Sequence, residues 1–224
     1  MVKNTIADNL YSNVEQVLRI EIADIDKELS VKDRVREEVI KISREIIRES
    51  SNCIATIHAR GVSDTLNQIL GKLDDLVEKI KEAARNHPDL YYSGTVNNAL
   101  AEYVECKSLH HLLVNHTLPT RSQLKIPTTP YLQGIADLIG ELRRLTLDLL
   151  RENRVKEALT LLDTMETIYH QLKTLHYPDA LTPGLRHKTD VARRLIEDTK
   201  ALVIDIANRL ELEQIIKQIL ANKQ

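Results

Sequence analysis

The sequence predicts an all-helical protein, and three observations carry that expectation. Gly and Pro number six each in 224 residues, too few to punctuate the many turns of a sheet protein. Phe and Trp are absent, and Tyr supplies every aromatic side chain. Strand proteins draw heavily on those residues. Apolar residues instead recur at helical spacing, so that Leu, Ile, Val and Ala must build the core.

About seven helices follow in order. The first covers about residues 5–29, with Ile6, Leu10, Val14, Val17, Leu18 and Ile22 in one stripe. Ser30 followed by Asp33 reads as a capping start for a second helix reaching about Ala59. Its stripe is Val35, Val39, Ile42, Ile46 and Ile47, and its other faces carry charges of both signs, the pattern of a solvated surface. Gly61 stops it, and Ser63-Asp64 restarts the chain. The third runs to about Arg85, and the fourth, after a break at Pro88, spans about 89–116. LPTRSQLKIPTTP is a connector, its three prolines being incompatible with a helix interior. The fifth helix begins near Pro130 and reaches about Glu152, and the sixth covers about 154–176. HYPDALTPG is a loop, with Thr182 as N-cap and Pro183 as first residue of a last helix to about Ala221. The chain reads as a single domain, 1–224. Its first and last helices carry apolar residues on more than one side, which predicts burial against neighbouring subunits of a homo-oligomer.

The charge balance, −2, carries no global basic field of the kind that advertises nucleic-acid binding, although a local basic patch remains open. Cys53 and Cys106 lack metal-type spacing. Each reads as a buried thiol, and no disulfide is expected in a reducing compartment. The N-terminus shows no continuous apolar segment of a secretory signal, and no stretch approaches a membrane span. A cytoplasmic protein is expected.

Two helices each carry a pair of acids on one face. Glu102 and Glu105 stand three apart in AEYVECKSLHHLL, beside Leu100, Val104 and Leu109. Asp137 and Glu141 stand four apart in PYLQGIADLIGELRR, bordered by Ile135, Leu138 and Leu142. Such pairs are common on solvated helices. Like charges bordered by apolar residues, however, call for a cation; Arg144 is one candidate and a metal is another. If the two faces meet, four hard oxygen ligands converge, a set suited to Mg²⁺ or Mn²⁺. A di-iron bundle is excluded, since Glu105 is followed three on by Ser108 and Glu141 by Arg144 where histidines are needed. Adjacent His110 and His111 point about 100° apart and do not face one metal together. Arg143-Arg144 and Arg193-Arg194 read either as phosphate contacts or as solvated, ion-paired arginines. No phosphate-binding glycine loop, nucleophile elbow or zinc pattern is present.

These segments resemble the translin family, and within it the translin-associated factor X branch. KISREIIRESSNCIATIHARG looks like the family's second-helix segment. AEYVECKSLHH is similar to that branch through Glu102-Tyr103-Val104-Glu105, Ser108 and His111. PYLQGIADLIGELRR matches through Tyr131, Gly134, Ala136-Asp137-Leu138, Gly140-Glu141-Leu142 and Arg144. The similarity spans about residues 32–222. The resemblance implies an all-α protein of about seven helices assembling into a hollow shell, here a homo-octamer. It implies binding of single-stranded RNA and single-stranded DNA, and a Mg²⁺-dependent endoribonuclease site facing the interior. The branch's catalytic and metal-holding carboxylates map onto Glu102, Glu105 and Asp137, with Glu141 as fourth. Arg144 is expected to orient a carboxylate or steady the phosphate, and the family's basic nucleic-acid surface falls on Lys81, Arg85 and His87. The Phe residues that family members place near these motifs are missing. Tyr91, Tyr92 and Tyr103 are left as stacking candidates or core residues. A non-catalytic nucleic-acid-binding shell is the alternative.

Overall fold

A computed structural model describes the backbone of residues 2–61 and 64–221 and the side chains of 10–61 and 65–221. Eight helices and no strands occur among them: α1 Val2–Arg60, α2 Asp64–Ala83, α3 Pro88–Tyr91, α4 Gly94–Asn115, α5 Arg121–Leu124, α6 Thr128–Arg151, α7 Val155–Lys173 and α8 Leu185–Ala221.

The first two expected helices are one. No Gly or Pro occurs before Gly61, so nothing interrupts 59 residues of helix. Ser30 does not cap a new start; its carbonyl accepts from Arg34 Nε within the running helix. Gly61 does end α1, in a left-handed conformation (φ 68°) with its N–H on the Ile57 carbonyl. The restart at Ser63, and the side chains of Ile6 and Asp64, lie outside the described residues.

Three smaller boundaries also differ. Pro88 opens a single separate turn, α3, and α4 starts afresh at Gly94 after Ser93. The connector holds a turn of its own, α5, where Thr120 and Gln123 form a reciprocal capping box. Thr182 and Pro183 do not begin the last helix. Gly184 takes a left-handed φ of 71°, its N–H bonded to Asp179 Oδ1, and α8 starts at Leu185.

One contiguous apolar core runs from Val39 on α1 to Val203 on α8. Lys72 on α2 bridges Glu45 and Glu49 on α1 at 3.1 and 2.9 Å, so α1 and α2 pack as an antiparallel hairpin. Lys32 reaches Asp89 while Cys53 meets Cys106, so α1 and α4 run side by side in one direction. Cys53 and Cys106 are both fully buried and are joined as a disulfide, contrary to the thiols expected. Their spacing of 53 residues carries no hint of the pairing, which the α1–α4 register creates.

The N-terminal part of α1 and the C-terminal part of α8 leave apolar side chains uncovered. Leu10, Val14, Leu18, Ile22 and Leu29 on α1, and Leu212, Ile216 and Ile219 on α8, are each about half exposed. Among the described residues, no helix is long and apolar enough to cross a membrane.

Candidate active site

The close approach of α4 and α6 builds the site. Gly134 sits where the two helices touch. A methyl group there would meet the Ala101 carbonyl oxygen and would lie 2.7 Å from Val104 Cβ. Ala101 and Val104 each directly precede a site acid on α4, Glu102 and Glu105. Asp137 and Glu141 lie three and seven residues beyond Gly134, on its face of α6. The absent side chain therefore lets the two acidic faces meet.

The acids feel one another across this contact. Burial pushes the Glu105 carboxyl up to about 8, and the negative charges of Asp137, Glu102 and Glu141 add to the effect. Glu102 is raised too, first by burial and then by Asp137, with Glu141 contributing less. Lys188 acts in the opposite direction on both. The four predicted residues are thus brought together from two helices.

Two basic side chains that sequence reasoning missed complete the cluster. Lys188, in the first turn of α8, donates to both Asp137 carboxylate oxygens at 2.5 and 2.6 Å. His58, near the end of α1 and almost fully buried, places Nε2 2.5 Å from Glu141 Oε2. The two atoms share a hydrogen bond that ties α1 to α6. The other ring nitrogen, Nδ1, is buried without a partner. Arg144 stands 4.0 Å from Glu141 and is largely exposed, so it borders the cluster. Both α6 acids are therefore engaged, Asp137 by the Lys188 ammonium and Glu141 by the His58 ring. Among the described residues the α4 acids have no cationic partner within salt-bridge distance.

The remaining candidates lie elsewhere. Lys81 and Arg85 are exposed on and just after the last turn of α2, and Arg85 pairs with Glu82 at 3.2 Å. α2 meets α4 where Asp74 accepts from the Tyr103 hydroxyl and from Lys107, on the side of α4 away from Glu102 and Glu105. Lys81 and Arg85 therefore do not join the acids. Tyr103 is buried by the same contact, which makes it a core residue. Tyr91 and exposed Tyr92 pack edge to face at 5.2 Å. Arg193 and Arg194 are exposed, Arg193 on Glu197. The His110 and His111 rings are 6.3 Å apart, and burial lowers His110 below its ordinary value.

The donor set fits a hard divalent cation. It offers carboxylate oxygens, and the proton affinities of Glu102 and Glu105 are raised by burial first and by the neighbouring carboxylates second, a setting in which a bound cation would favour the ionised acids. In the present arrangement, no three His, Cys, Asp or Glu side chains among the described residues are drawn into metal-holding range. Asp137 is engaged by Lys188 and Glu141 by His58.

An all-helical chain of this arrangement has the architecture of the translin fold. Residues 34–209 match the Translin family, and the chain belongs to that family. A protein of Methanocaldococcus jannaschii is 31% identical over 192 residues, covering 85% of each chain. Translin-associated protein X of Mus musculus is 27% identical over 161 residues; this chain spans 56% of the mouse protein's length. Among solved structures, AfC3PO in its duplex RNA complex is 34% identical, with a TM-score of 0.76 covering 84% of this chain and 97% of that one. Apo-NeC3PO shares the fold at 20% identity and a TM-score of 0.74, covering 83% of this chain and 96% of that one.

Proposed function

We propose that this chain is a cytoplasmic Mg²⁺-dependent endoribonuclease, with Mn²⁺ as a substitute, acting on RNA inside a homo-octameric shell. The observation that supports the reading is the close α4–α6 contact at Gly134, which sets the helix carrying Glu102 and Glu105 against the helix carrying Asp137 and Glu141. A relative of 34% identity has been solved with duplex RNA, which supports RNA as the ligand class. Single-stranded RNA is the substrate form we favour, with single-stranded DNA as a further ligand.

When bound, the metal ion supplies charge neutralisation at the phosphoryl group and makes a water acidic enough to act as nucleophile. The chain's residues do the rest. Glu102, Glu105 and Asp137, with Glu141 as fourth, would hold the ion through oxygen donors. His58 fixes the orientation of Glu141 from α1. Arg144, at the exposed rim, steadies the phosphate or a carboxylate. Positioning and charge stabilisation supply most of the rate.

Assembly is supported by surface area. The chain exposes 14661 Å², whereas a compact monomer of this 25.6 kDa mass exposes roughly 10,400 Å². The excess, roughly 4,000 Å² on one chain, is more than the half-share that a typical obligate interface takes from each partner, which suits contacts with more than one neighbour. It includes the apolar flanks of α1 and α8.

The test is incubation of the purified protein with single-stranded and duplex RNA in Mg²⁺, with EDTA and Asp137→Asn controls. Cleavage should vanish in EDTA. In Asp137→Asn it should fall by more than the roughly 10–100-fold that loss of an outer-sphere partner causes. Cleavage persisting in Asp137→Asn would remove the site from consideration. The engagement of Asp137 by Lys188 and of Glu141 by His58 favours a second reading, a non-catalytic RNA- and DNA-binding shell with structural acids. That reading predicts RNA retention without cleavage. Mg²⁺ at 100 times its dissociation constant should also stabilise the fold by about 2.7 kcal/mol, read as a rise in melting temperature. No rise across millimolar Mg²⁺ would favour the second reading.

A further inference from the structure

Lys188 occupies a position that its own helix does not favour. It is the fourth residue of α8, and its N–H bonds the Gly184 carbonyl at the helix start. A cation there opposes the positive end of the helix dipole. What holds it is α6. Gln133 Nε2 donates to the Pro183 carbonyl at 2.7 Å, fixing the approach of the chain into α8. One turn further along α6, Asp137 takes the ammonium with both oxygens. Both side chains are about 30% exposed, so the pair sits at the edge of the cluster rather than deep within it. The same charge acts on Glu102 and Glu105.

We propose that Lys188 is a built-in counter-cation of the acid site, which holds Asp137 in the metal-free protein and gives it up when a divalent cation loads. The proposal rests on the metal-site reading above. Asp137 would be one of the oxygen donors that hold a divalent cation. That would bring three positive charges onto one carboxylate while the ammonium stays at hydrogen-bond distance. Their repulsion at such separations is large even in a partly solvated setting. Loading therefore requires the ammonium to leave. Its flexible four-carbon stem permits this without movement of the backbone. The displaced Lys188 would then remain at the site's edge, where a phosphate arrives.

The experiment is titration calorimetry of the intact chain with Mg²⁺, alongside melting curves in EDTA and in Mg²⁺. Wild type is compared with Lys188→Gln, Lys188→Met and Lys188→Arg, and with Asp137→Asn as a control for location. Removing the competitor should make Lys188→Gln and Lys188→Met bind Mg²⁺ about tenfold more tightly, the order set by a single charge-assisted contact. Lys188→Arg should stay within about twofold of wild type, since its charge persists. The neutral variants should melt lower than wild type in EDTA, where Asp137 is left unpaired, and recover in Mg²⁺. A variant unfolded in EDTA but folded in Mg²⁺ is the extreme form of that result. A variant unfolded in both overturns the proposal. Equal or weaker Mg²⁺ binding in the neutral variants, with wild-type binding intact, overturns the role of Lys188 alone. No Mg²⁺ binding in wild type and variants alike overturns the metal site together with it.

Discussion

Gly134→Ala is expected to destabilise the protein by about 1–3 kcal/mol, the usual cost of inserting a methyl group into a packed contact. This runs against helix propensity, which favours Ala over Gly by about 1 kcal/mol in a helix interior. The opposing effect is steric. The new methyl group would meet the Ala101 carbonyl and lie 2.7 Å from Val104 Cβ, and neither is the loose end of a flexible side chain. Relief requires α4 and α6 to move apart, which also separates Glu102 and Glu105 from Asp137. Gly140 supplies the comparison on the same helix. Nothing lies within 4 Å of a methyl group there, so Gly140→Ala should stabilise the protein by about 0.5–1 kcal/mol. Urea unfolding of the two variants therefore gives changes of opposite sign. Gly134→Ala at least as stable as Gly140→Ala would mean that the α4–α6 approach is not limited by this residue.

The two acidic faces were legible in the sequence because helical spacing is local. Glu102 and Glu105, or Asp137 and Glu141, share a face whatever the rest of the chain does. That the faces meet was legible only through family resemblance. The cause is Gly134, and a glycine inside a helix does not announce which backbone it admits. The continuity of α1 was readable from the absence of Gly and Pro, but the Ser30–Asp33 pattern outweighed it. A capping motif is permissive: it satisfies orphan groups when a helix starts there, and it solvates harmlessly when the helix runs through. His58 and Lys188 were out of reach for a different reason. They meet their acids across 83 and 51 residues, and a lone His or Lys carries no periodic signal. The Cys53–Cys106 pairing is hidden in the same way. It depends on the parallel register of α1 and α4, which exists only once the tertiary contact forms.

The acid cluster also makes the stability of the metal-free protein fall with pH, and Glu105→Gln should remove much of that fall. Glu105 binds its proton more tightly in the folded chain, with a value of about 8 against an ordinary 4.5. Between those values the native state holds more protons than the unfolded state, so stability declines as pH rises from about 4.5 and levels off above about 8. The direction is opposite to that of a salt-bridged carboxylate. The cause is burial first, then the charges of Asp137, Glu102 and Glu141, with no cation beside Glu105 to compensate among the described residues. Every tenfold gain in proton affinity on folding corresponds to about 1.4 kcal/mol, so the full effect is on the order of a few kcal/mol, shared among coupled acids. Gln keeps the shape and cannot ionise. In EDTA, Glu105→Gln should match wild type near pH 5 and exceed its stability by a few kcal/mol near pH 9, on the order set by that gain in affinity. Mg²⁺ should narrow the gap at pH 9, because a divalent cation stabilises the ionised wild-type site and loses a ligand in the variant. Denaturant midpoints across pH 5–9, with and without Mg²⁺, measure both effects. A constant difference between wild type and variant across that range would mean that Glu105 ionises in the folded protein much as it does in the unfolded chain.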